Sequence, residues 1–175
     1  MVEKYLYQYV GLHLKGRKKN IIYGIIVDYN EEWVLIKRNV IEYMIDGYEL
    51  INRSKIAQVF KDDHLKFKED IFKAKYIDFT YTPFDLSEDF FTILKQINQK
   101  YGAFSLRLKH SNDWRIGRFL EKDGECVFAI EELSETGEWL DTIDELSVDE
   151  VYGIGFDCDY VQSLLLFANK KMGIR

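Results

Sequence analysis

The chain has 175 residues, 47% hydrophobic and 15% aromatic, with one proline, a composition that belongs to a folded, core-rich protein and excludes a disordered one. The formal net charge is −6, and an acidic surface repels phosphate backbones, so no DNA partner is expected. No apolar run reaches the roughly 20 residues of a membrane span, so no membrane partner is expected either.

The charge is unevenly placed. Residues 1–87 hold 14 Lys+Arg and 13 Asp+Glu, a net of +1, whereas residues 88–175 hold 10 and 17, a net of −7; together they make −6. The asymmetry suggests two units. The first ten residues, MVEKYLYQYV, lack the basic and apolar segments of a signal peptide, and a cytoplasmic location follows as the expectation. Cys126 and Cys158 form no CxxC pair and read as buried, reduced thiols.

In chain order, Tyr5, Tyr7 and Tyr9 alternate at period two and predict a strand face near a sheet edge. Leu12 and Leu14 alternate with His13 and Lys15, the half-buried strand pattern. The stretch IIYGIIVDYNEEWVLIKR (21–38) predicts a hairpin, with Gly24 inside a strand where a missing side chain permits a bend or bulge. Asp62-Asp63 precedes a helix over Leu65–Lys73. Residues 77–86, which contain the proline, read as a connector. Ser87, Glu88 and Asp89 start a helix with Phe90, Leu94, Ile97 and Tyr101 on one face and Gly102 at its end. Leu106 and Leu108 then alternate with Arg107 and Lys109, and Asp123-Gly124 predicts a tight turn. A final helix runs over Tyr160–Lys171, with Gly173 beyond.

These elements repeat. Leu12 and Leu14 match Leu106 and Leu108, Gly24 matches Gly117, and Tyr48 matches Trp139. Ile56 and Val59 match Val151 and Ile154, while Leu65 and Phe72 match Tyr160 and Phe167. Small drifts in the offset, confined to polar segments, are what loop-length changes in a duplicated domain produce.

The first copy resembles the Sm-like family. Leu14-Lys15-Gly16-Arg17 approximates the end of that family's first strand, and Gly24, Tyr29-Asn30, Trp33 and Leu35 follow at matching spacing. Gly117, Asp123, Cys126 and Phe128 take those places in the second copy. Leu50-Ile51-Asn52-Arg53-Ser54-Lys55-Ile56 echoes the family's second motif. The resemblance implies a mainly β protein with helices: two tandem Sm-like or SH3-like, strongly bent antiparallel barrels, each flanked by helices. The first barrel with its closing helix covers 1–76, the connector 77–86, and the second barrel with its two helices 87–175. The family is usually ringed and binds RNA, but Val34 and Val127 stand where it carries a base-contacting Asn. The uridine pocket therefore does not follow from the match.

The candidate nucleic-acid-binding residues are Lys15, Arg17, Lys18 and Lys19, joined by Lys37 and Arg38, with Tyr23 or Trp33 for stacking. Asp62-Asp63-His64 and Asp157-Cys158-Asp159 read as helix caps rather than metal ligands. His13, His64 and His110 have no zinc-site spacing. The strip 131–150 holds nine acids and no base; it reads as a solvated hairpin with Trp139, Leu140, Ile143 and Leu146 facing inward. No catalytic residue, cofactor or metal is expected, and the protein is not expected to be an enzyme. The expected function is a binding or assembly module with a protein partner or itself; RNA binding through the basic loop is the alternative.

Overall fold

The computed structural model describes residues 1–16, 21–109 and 114–173. The chain is mainly β with helices and divides into two compact units, Met1–Ser87 and Glu88–Arg175. The residues read as a connector fall in the first unit.

The first unit contains β1 (Tyr9–Leu14), β2 (Ile21–Tyr29), β3 (Trp33–Ile41), β4 (Met44–Asn52), β5 (Ile56–Phe60) and α1 (Asp63–Ala74). Its strands are ordered β5-β1-β2-β3-β4, and each described pair is antiparallel. The chain enters β1 differently from expectation: Glu3–Tyr5 is a short 3-10 turn and Tyr7 takes φ 60°, so of the three tyrosines only Tyr9 is in the strand. β3 is buried on both faces along its first five residues, Trp33 to Lys37. Such continuous burial explains why its apolar run does not alternate. Asp62 starts α1 by accepting a 2.8 Å hydrogen bond from the Leu65 N–H, and the helix buries Phe72 against the Tyr9 ring at 5.1 Å.

The second unit contains α2 (Phe90–Tyr101), β6 (Phe104–Leu108), β7 (Trp114–Asp123), β8 (Val127–Leu133), β9 (Trp139–Ser147), β10 (Val151–Phe156) and α3 (Asp159–Lys171). Its order is β10-β6-β7-β8-β9. The cap of α2 is Asp89, two residues later than Ser87; its carboxylate accepts from the Phe91 and Thr92 N–H groups. α2 packs Phe90 and Phe91 against Phe128 at 5.7 and 6.3 Å. The other side of the sheet, with Ile116 and Leu133, packs on Val161 and Ala168 of α3.

The two closed barrels expected from the sequence are not present: each unit holds an open sheet. In the first, β4 and β5 stand at opposite ends of the order, and among the described residues no ladder joins them. Closure requires the first and last strands to pair with a matching tilt and stagger. The Arg53–Lys55 3-10 turn instead sends the chain straight into β5, which pairs with β1. β10 likewise follows a 3-10 turn, Val148–Glu150, and pairs with β6.

Bends are nonetheless built in. A Cβ on Gly24 would lie 2.4 Å from the Lys37 carbonyl oxygen, and one on Gly117 would lie 2.4 Å from that of Glu131. Three residues past each glycine the register shifts: Ile26 and Asp28 face Ile36 and Leu35, and Phe119 and Glu121 face Ile130 and Ala129. Val27 and Leu120 are therefore the extra residues of two bulges, which increase local twist.

The register corrects several sequence matches. Tyr29 faces Val34 and Lys122 faces Phe128. The second hairpin thus has one more turn residue, and the counterpart of Val34 is Phe128 rather than Val127. Tyr48 faces Lys37, whereas Trp139 faces Leu133 near the hairpin end, so those two aromatics do not correspond. Leu65 and Phe72 are buried, but Tyr160 and Phe167 are 55% and 48% exposed. Val161 and Ala168 take the inward positions because α3 begins one residue later than the match assumed. On β9, Leu146 is buried and Trp139 half-buried, but Leu140 and Ile143 are exposed. Cys158 is buried as expected, while Cys126 is exposed in the β7–β8 turn.

Candidate functional site

β5 is the feature that most resembles a binding surface. It stands at the end of its sheet, and among the described residues only β1 pairs with it. Its outward residues, Ala57 and Gln58, are exposed, and Ala57 is a bulge between the Gln58–His13 and Ile56–Leu14 pairs. Two open surface grooves share Ala57 and Gln58. One is completed by Met1, Glu3, Lys4, Tyr5 and Val59; the other by His13, Leu14, Lys15 and Gly16. β5 spans five residues, with Lys55 before it and Lys61 after it. Shortness, a bulge and flanking lysines keep an edge from pairing indiscriminately.

Polar anchors hold this edge in place. Glu69 of α1, 7% exposed, accepts hydrogen bonds from the Tyr9 N–H at 2.8 Å, from Lys61 at 2.5 Å and from Lys73 at 2.6 Å. Burial pushes its carboxyl up, but the three donors together hold it below the ordinary carboxylate value. At the opposite end of β5, the Lys15 N–H donates to the Lys55 carbonyl at 2.8 Å. His13 stacks on Phe60 at 5.2 Å.

The candidate basic residues do not gather. Arg17, Lys18 and Lys19 lie outside the described residues, as does His110. Lys15 is exposed beside the second groove. Lys37 is buried and donates to the Asp78 carbonyl, with its ammonium 5.7 Å from the Tyr81 ring centroid. Burial lowers its pKa, against the opposing pull of Asp78 and Tyr81. Arg38 pairs with the fully buried Glu49 at 3.5 Å. Arg38 sits in the row Arg38–Gly24–Val10, five residues from Lys15 and so on the order of 16 Å away along the strand direction. Trp33 is 2% exposed and offers no stacking face.

The turn that carried the family resemblance is internally occupied. Asn30 Oδ1 accepts from the Glu32 and Trp33 N–H groups at 2.9 and 2.7 Å, and its Nδ2 donates to the Leu86 carbonyl at 2.7 Å. Arg53 donates to the Asn30 carbonyl and to Glu3. These residues lock the β2–β3 turn to the chain after β4. Sequence reasoning singled out Asn30 and Arg53 but could not foresee that they bind each other's segments. In the second unit Ser147 caps the Val148–Glu150 turn, accepting from the Asp149 N–H at 3.4 Å; Cys158, the cap residue of α3, makes no side-chain cap bond.

Among the described residues, no three His, Cys, Asp or Glu side chains stand close enough to hold a metal ion. No described helix is long and apolar enough to cross a membrane. Comparison with protein-family models, curated proteins and solved structures finds no match.

Proposed function

We propose that this protein is a non-enzymatic, cytoplasmic assembly module, built from a duplicated Sm-like strand unit, that associates with further copies of itself through the outer edge of β5. The observation that carries the reading is the one-sided pairing of β5 together with the exposure of Ala57 and Gln58. A sheet edge recognises another strand through its main chain, and the side chains beside it set specificity.

Charge supports a second copy as the occupant. Lys4, Lys15 and Lys55 border the β5 edge, while β9 ends the sheet of the second unit and carries the exposed acids Asp141 and Glu145. Opposite charges steer and register such an encounter. Duplication is supported by the shared strand order, by the bulges at Val27 and Leu120, and by a second pair of bulges at Ala57 and Tyr152. The RNA alternative retains only Lys15 as an exposed base among the described candidates.

Sedimentation equilibrium tests the proposal. The chain is expected to show a mass above that of the monomer, reduced by Ala57→Glu with Gln58→Glu, which place two acids on the edge without touching the core. A chain that stays monomeric at every concentration, or an assembly indifferent to those substitutions, would sink the proposal.

A further inference from the structure

A second surface, separate from the β5 edge, lies on α3. Tyr160, Leu166 and Phe167 are 55%, 73% and 48% exposed, Ser163 is exposed between them, and Leu164 is half-buried. At 3.6 residues per turn Tyr160, Ser163, Leu166 and Phe167 share the side of the helix away from the inward Val161 and Ala168, whereas Leu164 and Leu165 pack on the core. Aligned by their inward residues, α1 has His64 and Asp70 where α3 has Tyr160 and Leu166, while Phe67, 56% exposed, and Ile71 stand where α3 has Ser163 and Phe167. The positions of Tyr160 and Leu166 are thus polar in the first unit and apolar in the second.

The face has polar ends of opposite sign. Asp159 is the first residue of α3, and the exposed Lys170 lies in its last turn. Two α3 helices laid antiparallel bring Asp159 of each copy opposite Lys170 of the other. Their dipoles then also oppose. The small Ser163 lies near the middle of the stripe, where helix axes 8–10 Å apart need room. A face that matches itself in this way suits a twofold, isologous contact.

We propose that two copies of this chain associate through this face, α3 against α3 in antiparallel orientation. The contact does not depend on the strand-edge reading, because it uses residues of α3 alone. Tyr160, Leu166 and Phe167 supply the apolar centre, and the Asp159–Lys170 pairs set the orientation. Phe167 is held for this role by its packing over Gly137, and Lys171 covers its ring from 4.9 Å while pairing with Glu138.

The test uses the full chain carrying Ala57→Glu and Gln58→Glu, which isolates α3 from the strand edge, with circular dichroism to confirm folding. Sedimentation equilibrium is expected to find a dimer. Leu166→Glu is expected to weaken it at least about tenfold, and Tyr160→Glu serves the same purpose should the first variant fail to fold. Lys170→Glu alone weakens the dimer, and adding Asp159→Lys restores it, because the exchanged charges face each other again. A merely structural role for Lys170 would show no such rescue. A monomer at every concentration in the edge-blocked chain overturns the proposal while leaving the strand-edge reading intact if the unmodified chain assembles. A dimer that tolerates both Leu166→Glu and Tyr160→Glu overturns it as well.

Discussion

The carboxylate of Glu69, on α1, accepts a 2.8 Å hydrogen bond from the backbone N–H of Tyr9, the first residue of β1. Sixty residues of chain separate the two. The bond ties the closing helix to the strand that supports β5, and Lys61 and Lys73 neutralise the charge it buries. Glu69→Ala leaves two lysines and a backbone donor without their acceptor. Removing one partner of a buried pair costs about 3 kcal/mol, and urea denaturation is expected to show a loss of that order.

The same residue sets an acid limit. The ordinary glutamate value is 4.5 and the folded value lies below it, so the unfolded chain binds the proton more readily. The stabilisation is fully present above about pH 4.5 and is lost as pH falls through the lower folded value. Thermal melting recorded from pH 6 downward is therefore expected to fall less steeply in Glu69→Ala than in the parent chain. Parallel curves would remove Glu69 as the cause.

Gly24→Ala and Gly117→Ala each force a methyl group against a carbonyl oxygen of the neighbouring strand. Overpacking of this kind costs about 1–3 kcal/mol. Both variants are expected to show a lower denaturation midpoint with an unchanged slope; a midpoint equal to the parent's would mean that the strands part at no cost.

Asn98 bridges α2 and β7, donating to the Phe119 carbonyl at 3.1 Å and accepting from its N–H at 3.2 Å. In the first unit the main chain serves the matching position: the Tyr7 N–H donates to the Ile26 carbonyl, and the Ile26 N–H donates to Gln8. Asn98→Ala leaves both Phe119 groups unsatisfied and is expected to cost about 1–3 kcal/mol. Hydrogen exchange of the Phe119 amide gives a direct reading, with faster exchange as the expected result.

Asn30→Ala removes two turn acceptor bonds and the tether to Leu86. Proteolysis between residues 77 and 86 is expected to accelerate, as a segment released from its anchor opens more often. Unchanged cleavage would show that Lys37 and the buried Leu86 side chain hold the connector by themselves.

What the sequence determined by itself was local. Alternation at Leu12 and Leu14, the acids before α1 and α2, Gly102 after α2 and the glycines at 24 and 117 each act within a few residues or along one strand. Their consequences therefore appear in the order of amino acids. Tertiary structure decided whether the sheets close, because closure depends on which distant strands pair: β5 takes β1, and β4 stands at the other end. It decided the register of the second unit too, where one extra turn residue shifts Phe128 into the place expected for Val127 and a later helix start turns Tyr160 and Phe167 outward. It also decided which charges are available. Lys37 and Arg38 read as surface bases because sequence carries no record of burial, and only packing set them against the Asp78 carbonyl and Glu49.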